Sequence, residues 1–380
     1  MTNVDIDHDI QRPDDDPLAT ATTLPAAWYA DPDAHRSEVE AVFRRGWSCV
    51  GVIDDVGEPG TFAVVDVAGL PVLLTRDLAG ELRGFLNVCR HRGAPLAEGC
   101  GRARALSCPY HAWVYRLDGS LSRSIGMDGV IDFRPDQLAL HPVSVATWAR
   151  FVFVHPDPTA APLDLGRLAP AIDPFPLDEY ELAVREEHVR EFNWKVLVEN
   201  YSENFHTPFV HPELIVDGWD YPIVTDGPIS LAWDRPLEPR NAAERALQAD
   251  PCGPGWEAIA SNQIDDVFIA GVYFTVFPNL LVSVFPRYLS ALLLDPLGPT
   301  QTRVRAFRCW TPDVDEERRA ADLEASRVVA AQDLDICEQV QRGYTAGIDT
   351  HGRLSVQHER GVHHVHRLVR AAHADSVHRR

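Results

Sequence analysis

The chain has no run of about 18–20 uninterrupted apolar residues, so it offers no segment of the kind that crosses a membrane as a helix. Its first residues, MTNVDIDHDIQRPDDDP, lack the basic and apolar regions of an export signal. A cytoplasmic location is therefore expected. Cysteine is scarce and odd in number: Cys49, Cys89, Cys100, Cys108, Cys252, Cys309 and Cys337 are scattered through 380 residues. That excludes a disulfide framework and, in a reducing compartment, points towards metal binding. Basic residues are outnumbered, 35 against 56 acidic, for a formal net charge of −21. A nucleic-acid binder would need a basic stripe to meet phosphates, and that class is excluded. The acidity suits a cationic substrate or a basic protein partner, and solubility alone accounts for it equally well. There is no internal repeat, no low-complexity tract beyond the acidic start, and no glycine-rich dinucleotide fingerprint.

The length suits two domains, or one domain interrupted by a large insertion. Residues 1–17 read as a loosely ordered acidic tail, and the closing HADSVHRR reads similarly. Apolar spacing predicts a helical part over 18–48, concentrated in 25–48. From 49 to 156 the pattern turns to short β-rich runs, at 62–65, 71–75, 82–88 and 151–154, punctuated by Gly and Pro. A Pro-rich connection follows and opens a mixed domain over 157–380. There, 191–206 reads as a strand end passing into a helix that Pro208 terminates. The apolar stretch 267–296, broken by Pro278 and Pro286, and the alternating 302–306 read as adjacent antiparallel strands. Residues 313–342 read as one long helix, with Asp313 as N-cap and Gly343 as its stop. The expected class is α+β, with a β-rich insertion before an antiparallel sheet and long helix.

Two constellations carry chemistry. In the first, Cys89-x-His91 and Cys108-x-x-His111 are separated by sixteen residues, each pair in a Gly/Pro-bounded loop. Each half supplies one thiolate and one imidazole. A Rieske [2Fe–2S] cluster uses two Cys on one iron and two His on the other. A structural Cys₂His₂ zinc site uses the same residue types, although zinc fingers pair Cys with Cys and His with His. In the second, His206 and His211 lie five apart with Pro208 between them. A straight helix separates such rings, whereas a helix that ends at His206 and turns back brings them together. Two His and one carboxylate on one face of Fe(II) leave positions open for O₂ and substrate. Two ordinary histidines near a helix end are the competing reading. Glu203, three residues before His206, falls on a neighbouring helix face.

The loops CRHRGAPL from Cys89 and CPYHAW from Cys108, with the segment NWKVLVENYSENFHTPFVHPEL from Asn193, resemble the α subunits of Rieske non-haem iron oxygenases. Among these, the second segment is most similar to the branch acting on choline, glycine betaine and other quaternary ammonium compounds; aromatic-ring hydroxylation is the commoner activity. The resemblance implies a β-rich Rieske domain and a helix-grip catalytic domain. Per chain it implies one [2Fe–2S] cluster on Cys89, His91, Cys108 and His111, and one mononuclear Fe(II) on His206, His211 and a late carboxylate. In AAQDLDICEQVQRG, Asp333 best fits that ligand position and Asp335 is its rival. Glu203 corresponds to the acidic residue that bridges the cluster of one subunit and the iron of the next. Asn200 matches a position near the iron. The departures are Ala112, where Gly is more usual, Arg116 where acidic residues are frequent, and Asn204 and Phe205 where relatives often carry Cys and Tyr.

The resemblance further implies a head-to-tail homotrimer. Electrons come from NAD(P)H through a separate reductase, with or without a ferredoxin, and O₂ and a small organic molecule are substrates. Trp219, Tyr221, Tyr273 and Phe274 are candidates for an aromatic cage around a cation. His363–His366, in a stretch similar to the family's C-terminal helix, read as surface or packing residues. Cys100 reads as a spare thiol. A Rieske electron carrier without its own chemistry is the alternative, but it needs only the β-rich part.

Overall fold

A computed structural model describes residues 18–166, 175, 177, 179–214, 219–236, 271–285, 287–348 and 351–378; the tail 1–17 lies outside these. The chain divides into two compact units, one of residues 43–163 and one combining 1–42 with 164–380. The first is wider than the span 49–156 read from the sequence. Side chains explain the difference: Arg44 donates to Ala68 O, His155 Nε2 lies 3.0 Å from Arg45 O, and Trp47 Nε1 donates to Ala161 O. These contacts hold both flanks to the β unit.

That unit contains β1 (Ser48–Val52), β2 (Thr61–Val67), β3 (Leu70–Arg76), β4 (Leu82–Leu86), β5 (Cys100–Arg102), β6 (Ala105–Ser107), β7 (Val114–Arg116), β8 (Leu121–Arg123), β9 (Pro142–Trp148) and β10 (Phe151–His155). Seven strands form one sheet in the order β1-β10-β9-β4-β3-β2-β5, and β6-β7-β8 form a second. Pairing is antiparallel throughout. The strand expected over 82–88 stops at Leu86. Asn87 accepts from the N–H groups of Leu96 and Ala97 and donates to Ala97 O, which turns the backbone out of the sheet just before Cys89.

The second unit opens with α1 (Ala27–Ala30) and α2 (Pro32–Glu38), followed by a π turn over Val39–Phe43. The single helix expected over 25–48 is thus broken. Asp31 leaves helical geometry, caps Asp33 and Ala34, and passes the chain to Pro32, which belongs in a first turn. Strands β11 (Glu181–Arg190), β13 (Ile223–Asp226), β14 (Ile229–Trp233), β16 (Val272–Val276), β17 (Leu280–Phe285), β18 (Tyr288–Gly298) and β19 (Gln301–Trp310) form an antiparallel sheet in the order β11-β19-β18-β17-β16-β14-β13. A short pair, β12 (Trp219–Asp220) with β15 (Arg235–Pro236), stands apart from it. Alternation along β19 buries Val304 and Ala306, while Arg303 and Arg305 on the other face pair with Glu187 and Asp295.

Between β11 and β12 come α3 (Trp194–Tyr201) and α4 (Thr207–Val210). The helix expected to run to His206 ends at Tyr201, and Pro208 opens α4 rather than closing α3. Proline is as well suited to a first turn as to a terminator, because its missing N–H is one that a helix start leaves unpaired anyway. The long helix α5 runs over Glu316–Thr345, capped by Asp315 instead of Asp313, and passes through Gly343. It stops where Gly347 takes a positive φ of 73°. Asp313 accepts from Thr311 Oγ1 instead. Finally, α6 (Arg360–His378) extends into the segment read as a tail, with His373 buried. Gly361 lets α6 press on the end of α3, since a Cβ there would collide with Ser202 O.

A buried polar knot ties the helices of this unit together. Lys195 Nζ donates to Glu38 Oε2 at 2.5 Å, Asn193 Oδ1 and Trp28 O, and Trp194 Nε1 donates to Glu38 Oε1. Asn193 N–H donates to Gln341 Oε1 on α5, and Gln341 Nε2 donates to Tyr29 O on α1. This knot fixes α3, after which the chain turns to Glu203, His206 and His211, and α5, which carries Gln332 and Asp333.

Candidate active site and metal centres

In the β unit, the two Cys–His loops share one backbone geometry. Cys89 N–H donates to Ala94 O, and Cys108 N–H to Trp113 O. Gly93 N–H returns to Cys89 O, and Ala112 N–H to Cys108 O. Gly93 and Ala112 occupy matching positions with φ of 77° and 54°. The usual glycine at the second position is therefore explained: Ala112 sits in the left-handed region that glycine enters freely.

Cys89 and Cys108 are buried. The rings of His91 and His111 meet edge to face with centroids 4.5 Å apart, and Trp113 stacks on His91 at 4.8 Å. Nδ1 of both imidazoles is buried without a hydrogen-bond partner. Two buried thiols with two orphaned ring nitrogens are the donor set of a Rieske cluster. They do not form a compact group around a single ion: among the described residues, the group of three or more ligand atoms within 4.8 Å of one another is His206, His211 and Asp333. A Cys₂His₂ zinc site would draw its donors closer than that. Tyr115 Oη lies 3.7 Å from Cys89 Sγ and accepts from Arg90 N–H, a support not read from the sequence.

In the other unit the break between α3 and α4 turns the chain so that His206 and His211 face one another, ring centroids 5.3 Å apart. Asp333, on α5, meets both: Oδ1 lies 2.9 Å from His211 Nε2 and 3.4 Å from His206 Nε2. Asp335 points away, 69% exposed and paired with Arg190. The outer ring nitrogens are also held. His206 Nδ1 is 2.6 Å from Glu203 Oε1, and His211 Nδ1 is 2.6 Å from Gln332 Oε1. Glu203 lies in the turn after α3 rather than on a helix face, and accepts from the N–H groups of Phe205 and His206. Gln332 escaped the sequence reading.

Electrostatics reflect this crowding. Burial works to lower the pKa of His206, but the hydrogen bonds to Asp333 and Glu203 outweigh it and hold the ring at about 9. His211 is raised against burial by Asp333 and Gln332. Burial raises Asp333, yet both histidines hold it below the usual carboxylate range. Three groups that share protons so tightly are also arranged to share a cation. Two imidazoles and a carboxylate converging on one point suit a divalent iron with free positions on its far side.

A cavity of about 1070 Å³ adjoins the triad between α5 and the sheet. Asn200, Tyr221, Tyr273, Phe285 and Asp234 are among its lining. Tyr221 and Tyr273 pack at 5.2 Å, and Phe285 meets Tyr273 edge-on at 5.8 Å. Phe274 does not line the cavity: neighbouring residues on β16 point to opposite faces, and its side chain is in the core. The side chain of Trp219 lies outside the described ones. His363 and His366 are buried, with His366 Nε2 3.2 Å from Glu199 Oε1; His364 Nε2 lies 3.0 Å from Gly227 O. They are packing residues of α6 and stand apart from the triad.

A β unit with a paired Cys–His cradle, joined in one chain to a sheet-and-helix unit with a two-His, one-carboxylate site, defines a two-centre iron oxygenase. The chain belongs to the ring-hydroxylating α subunit family: the model of its catalytic domain matches residues 177–375, and that of the Rieske [2Fe–2S] domain matches 46–134. It is similar to the chloroplastic choline monooxygenase of Arabidopsis thaliana, 29% identical over 93% of this chain and 83% of that one. It is similar also to the carnitine monooxygenase oxygenase subunit of Escherichia coli K12, 26% identical over 92% and 93%. Among solved structures, the quaternary ammonium Rieske monooxygenase CntA in complex with L-carnitine superimposes with a TM-score of 0.77 at 25% identity, covering 94% of this chain and 97% of that one. Naphthalene 1,2-dioxygenase from Rhodococcus shares the fold, with a TM-score of 0.73 at 21% identity. The protein is thus a Rieske oxygenase that works with a [2Fe–2S] cluster, a mononuclear iron and electrons from a reductase. No helix among the described residues is long and apolar enough to cross a membrane.

Proposed function

We propose that the chain oxidises a quaternary ammonium compound beside its nitrogen, as the oxygenase component of a system with a separate NAD(P)H-dependent reductase. The observation that carries this is the wall of the cavity beside His206, His211 and Asp333: three aromatic rings, Tyr221, Tyr273 and Phe285, with the buried carboxylate of Asp234. Aromatic faces and a desolvated carboxylate attract a cation without needing it to donate a hydrogen bond, which a quaternary ammonium group cannot do. The choline and carnitine monooxygenases among its relatives support the same reading.

In this reading Cys89, His91, Cys108 and His111 hold the cluster, and His206, His211 and Asp333 hold the iron. When bound, the two centres supply O₂ activation, so that a C–H bond, O₂, two electrons and two protons become an alcohol and water. Gln332 and Glu203 orient the two ligand rings from behind. Glu203 is also the group through which a neighbouring subunit's cluster histidine is reached, and Asn200 shapes the wall near the iron. A head-to-tail homotrimer provides that contact. The exposed Tyr110 beside the cluster cradle, and the exposed Phe205 and Phe209 beside the triad, are apolar surfaces that such an assembly would cover. A reducing compartment such as the cytoplasm suits the free thiols.

The test is iron and labile sulfide content with electron paramagnetic resonance of the dithionite-reduced protein, followed by turnover with a surrogate reductase, NADH and a panel of quaternary amines. A low-average-g Rieske signal, about one iron per chain beyond sulfide, and oxygen-dependent consumption of a quaternary amine are expected. Zinc without sulfide, or turnover confined to neutral aromatic substrates, would overturn the reading.

A further inference from the structure

Five arginines line the cavity, and four have carboxylate partners: Arg190 with Asp335 and Glu338, Arg287 with Asp313, Arg318 with Asp322, and Arg327 with Glu186. Arg308 has none among the described residues. It is only 2% exposed, its Nε donates to Ser326 Oγ at 2.9 Å and its Nη1 to Phe307 O at 3.2 Å, and Nη2 is left over. The opposite case stands across the sheet. Asp234 is buried, its Oδ2 accepts from Gly271 N–H at 2.9 Å and Tyr273 Oη at 3.0 Å, and no cation of the described chain reaches it. Burial raises its pKa only to about 6, so it is charged at neutral pH. A buried charge without a partner is costly, and the cavity holds one of each sign.

Sheet register connects the two. Tyr273, Ser283, Ser290 and Arg308 are successive cross-strand neighbours on β16, β17, β18 and β19, and all four line the cavity. The Cα atoms of Tyr273 and Arg308 are therefore three strand spacings apart, roughly 14 Å along the sheet. Between them on the sheet lie Ser283, whose Oγ is 2.6 Å from Tyr201 Oη, and Ser290, and the cavity of about 1070 Å³ that all of them border has space for a small molecule. Ser326, the partner of Arg308, lies on α5 about 10 Å along the helix from Asp333. That too is within the reach of a small substrate.

We propose that Arg308 binds a carboxylate of the substrate while Asp234 and its tyrosines take the ammonium, so that the substrate is a quaternary ammonium carboxylate and not a simple amino alcohol. This rests on the quaternary ammonium reading above. A guanidinium with a free N–H edge pairs with a carboxylate in a charge-assisted hydrogen bond, whereas a hydroxyl leaves its charge unmatched.

The test is calorimetric binding of L-carnitine, γ-butyrobetaine and choline to the oxidised holoenzyme and to its Arg308→Gln and Arg308→Lys variants. The native protein is expected to bind a carboxylated ligand roughly 10- to 100-fold more tightly than choline. Arg308→Gln should lose that preference with choline binding unchanged, and Arg308→Lys should recover part of it. Because a role confined to tying β19 to α5 would weaken all three ligands together, a parallel loss in folded Arg308→Gln overturns the assignment. Equal binding of choline and the carboxylated ligands by the native protein overturns it without any variant, and leaves the quaternary ammonium reading intact. Binding of none of the three overturns both.

Discussion

Gln332 Oε1 stands 2.6 Å from Nδ1 of His211, whose other ring nitrogen faces Asp333 Oδ1 at 2.9 Å. A carboxamide oxygen only accepts, so it holds the proton on Nδ1 and leaves Nε2, which shares its proton with Asp333, as the nitrogen that would give up that proton to a cation. Gln332 also neighbours Asp333 on α5, so one turn of helix supplies both a candidate ligand and the group that sets the tautomer of another. Substituting Gln332→Ala should lower iron affinity by about 10- to 100-fold while leaving the cluster spectrum unchanged. Iron retention during chelator dialysis, scored against labile sulfide in the same sample, measures it. Retention equal to native would remove Gln332 from the site's machinery.

Glu203 makes the corresponding contact to His206 and is, in addition, the expected route to a neighbouring cluster. Glu203→Gln keeps the shape and an acceptor oxygen but removes the charge. The variant should retain both metal centres yet lose most of its turnover, about 10²-fold or more if each cycle needs this link. Single-turnover oxidation of the reduced cluster separates the causes. A cluster that stays reduced in the presence of substrate and O₂ locates the loss in electron transfer, and full activity would end the bridging role.

What could be read in advance follows the range of the physics. Cys89, His91, Cys108 and His111 are legible because each loop is local, a few residues whose types and spacing carry the ligand set. His206 and His211 are legible for the same reason. Asp333 needed the resemblance, since nothing local distinguishes it from Asp335; the helical phase that turns one inward and leaves the other on Arg190 depends on how α5 lies on the sheet. Asp234, Phe285, Ser290 and Arg308 were not legible at all. They converge by register across four or more strands, and register depends on pairing between distant segments. The departure at α3 has a different origin: a proline ends a helix or begins one with equal ease, and Pro208 begins α4.

Ala112 tests the cradle's backbone. Its φ of 54° costs a non-glycine residue about 1 kcal/mol, and its loop twin Gly93 has no such cost. Ala112→Gly should therefore hold the cluster at least as firmly, with a gain of up to about 1 kcal/mol reduced by the greater freedom of glycine in the unfolded chain. Ala112→Val, β-branched in the same geometry, should be worse than native. The rate at which visible cluster absorbance decays on warming ranks the three, and a Val variant as durable as native would contradict the assignment of strain.

Lys195 is the single lysine of the chain, and its side chain is wholly excluded from solvent. An acylating reagent should therefore modify only the terminal amine of the folded protein and reach Lys195 on unfolding, which mass spectrometry of the tryptic or chymotryptic digest would show. Replacing Lys195 with Met strands Glu38 as a buried, unpaired carboxylate and should cost about 3–5 kcal/mol, as removal of one partner of a buried pair generally does. Replacing both, Lys195→Met with Glu38→Gln, should restore part of the loss, because no charge then remains to be compensated.

Asp234 carries the sharpest pH signature. Burial raises its carboxyl pKa to about 6 from an ordinary value of 3.8, against the lowering effect of Gly271 N–H and Tyr273 Oη. A raised folded-state pKa means that the folded protein prefers the protonated form. The contribution of Asp234 to stability is therefore most favourable below about pH 4 and is lost as pH rises through about 6. Asp234→Asn removes the buried charge, so above pH 6 the variant should be more stable than native, by at most about 3 kcal/mol. The gain should shrink towards pH 4, where the native carboxyl is protonated in the folded state and only partly ionised in the unfolded one. The same substitution should weaken quaternary ammonium binding at pH 7, because the charge that burdens the empty fold is the one a bound cation would neutralise. Thermal unfolding from pH 4 to 8, with and without a quaternary amine, reads both effects. A variant less stable than native at pH 7, or one that binds the cation as tightly as native, would show that Asp234 is held in the cavity for another reason.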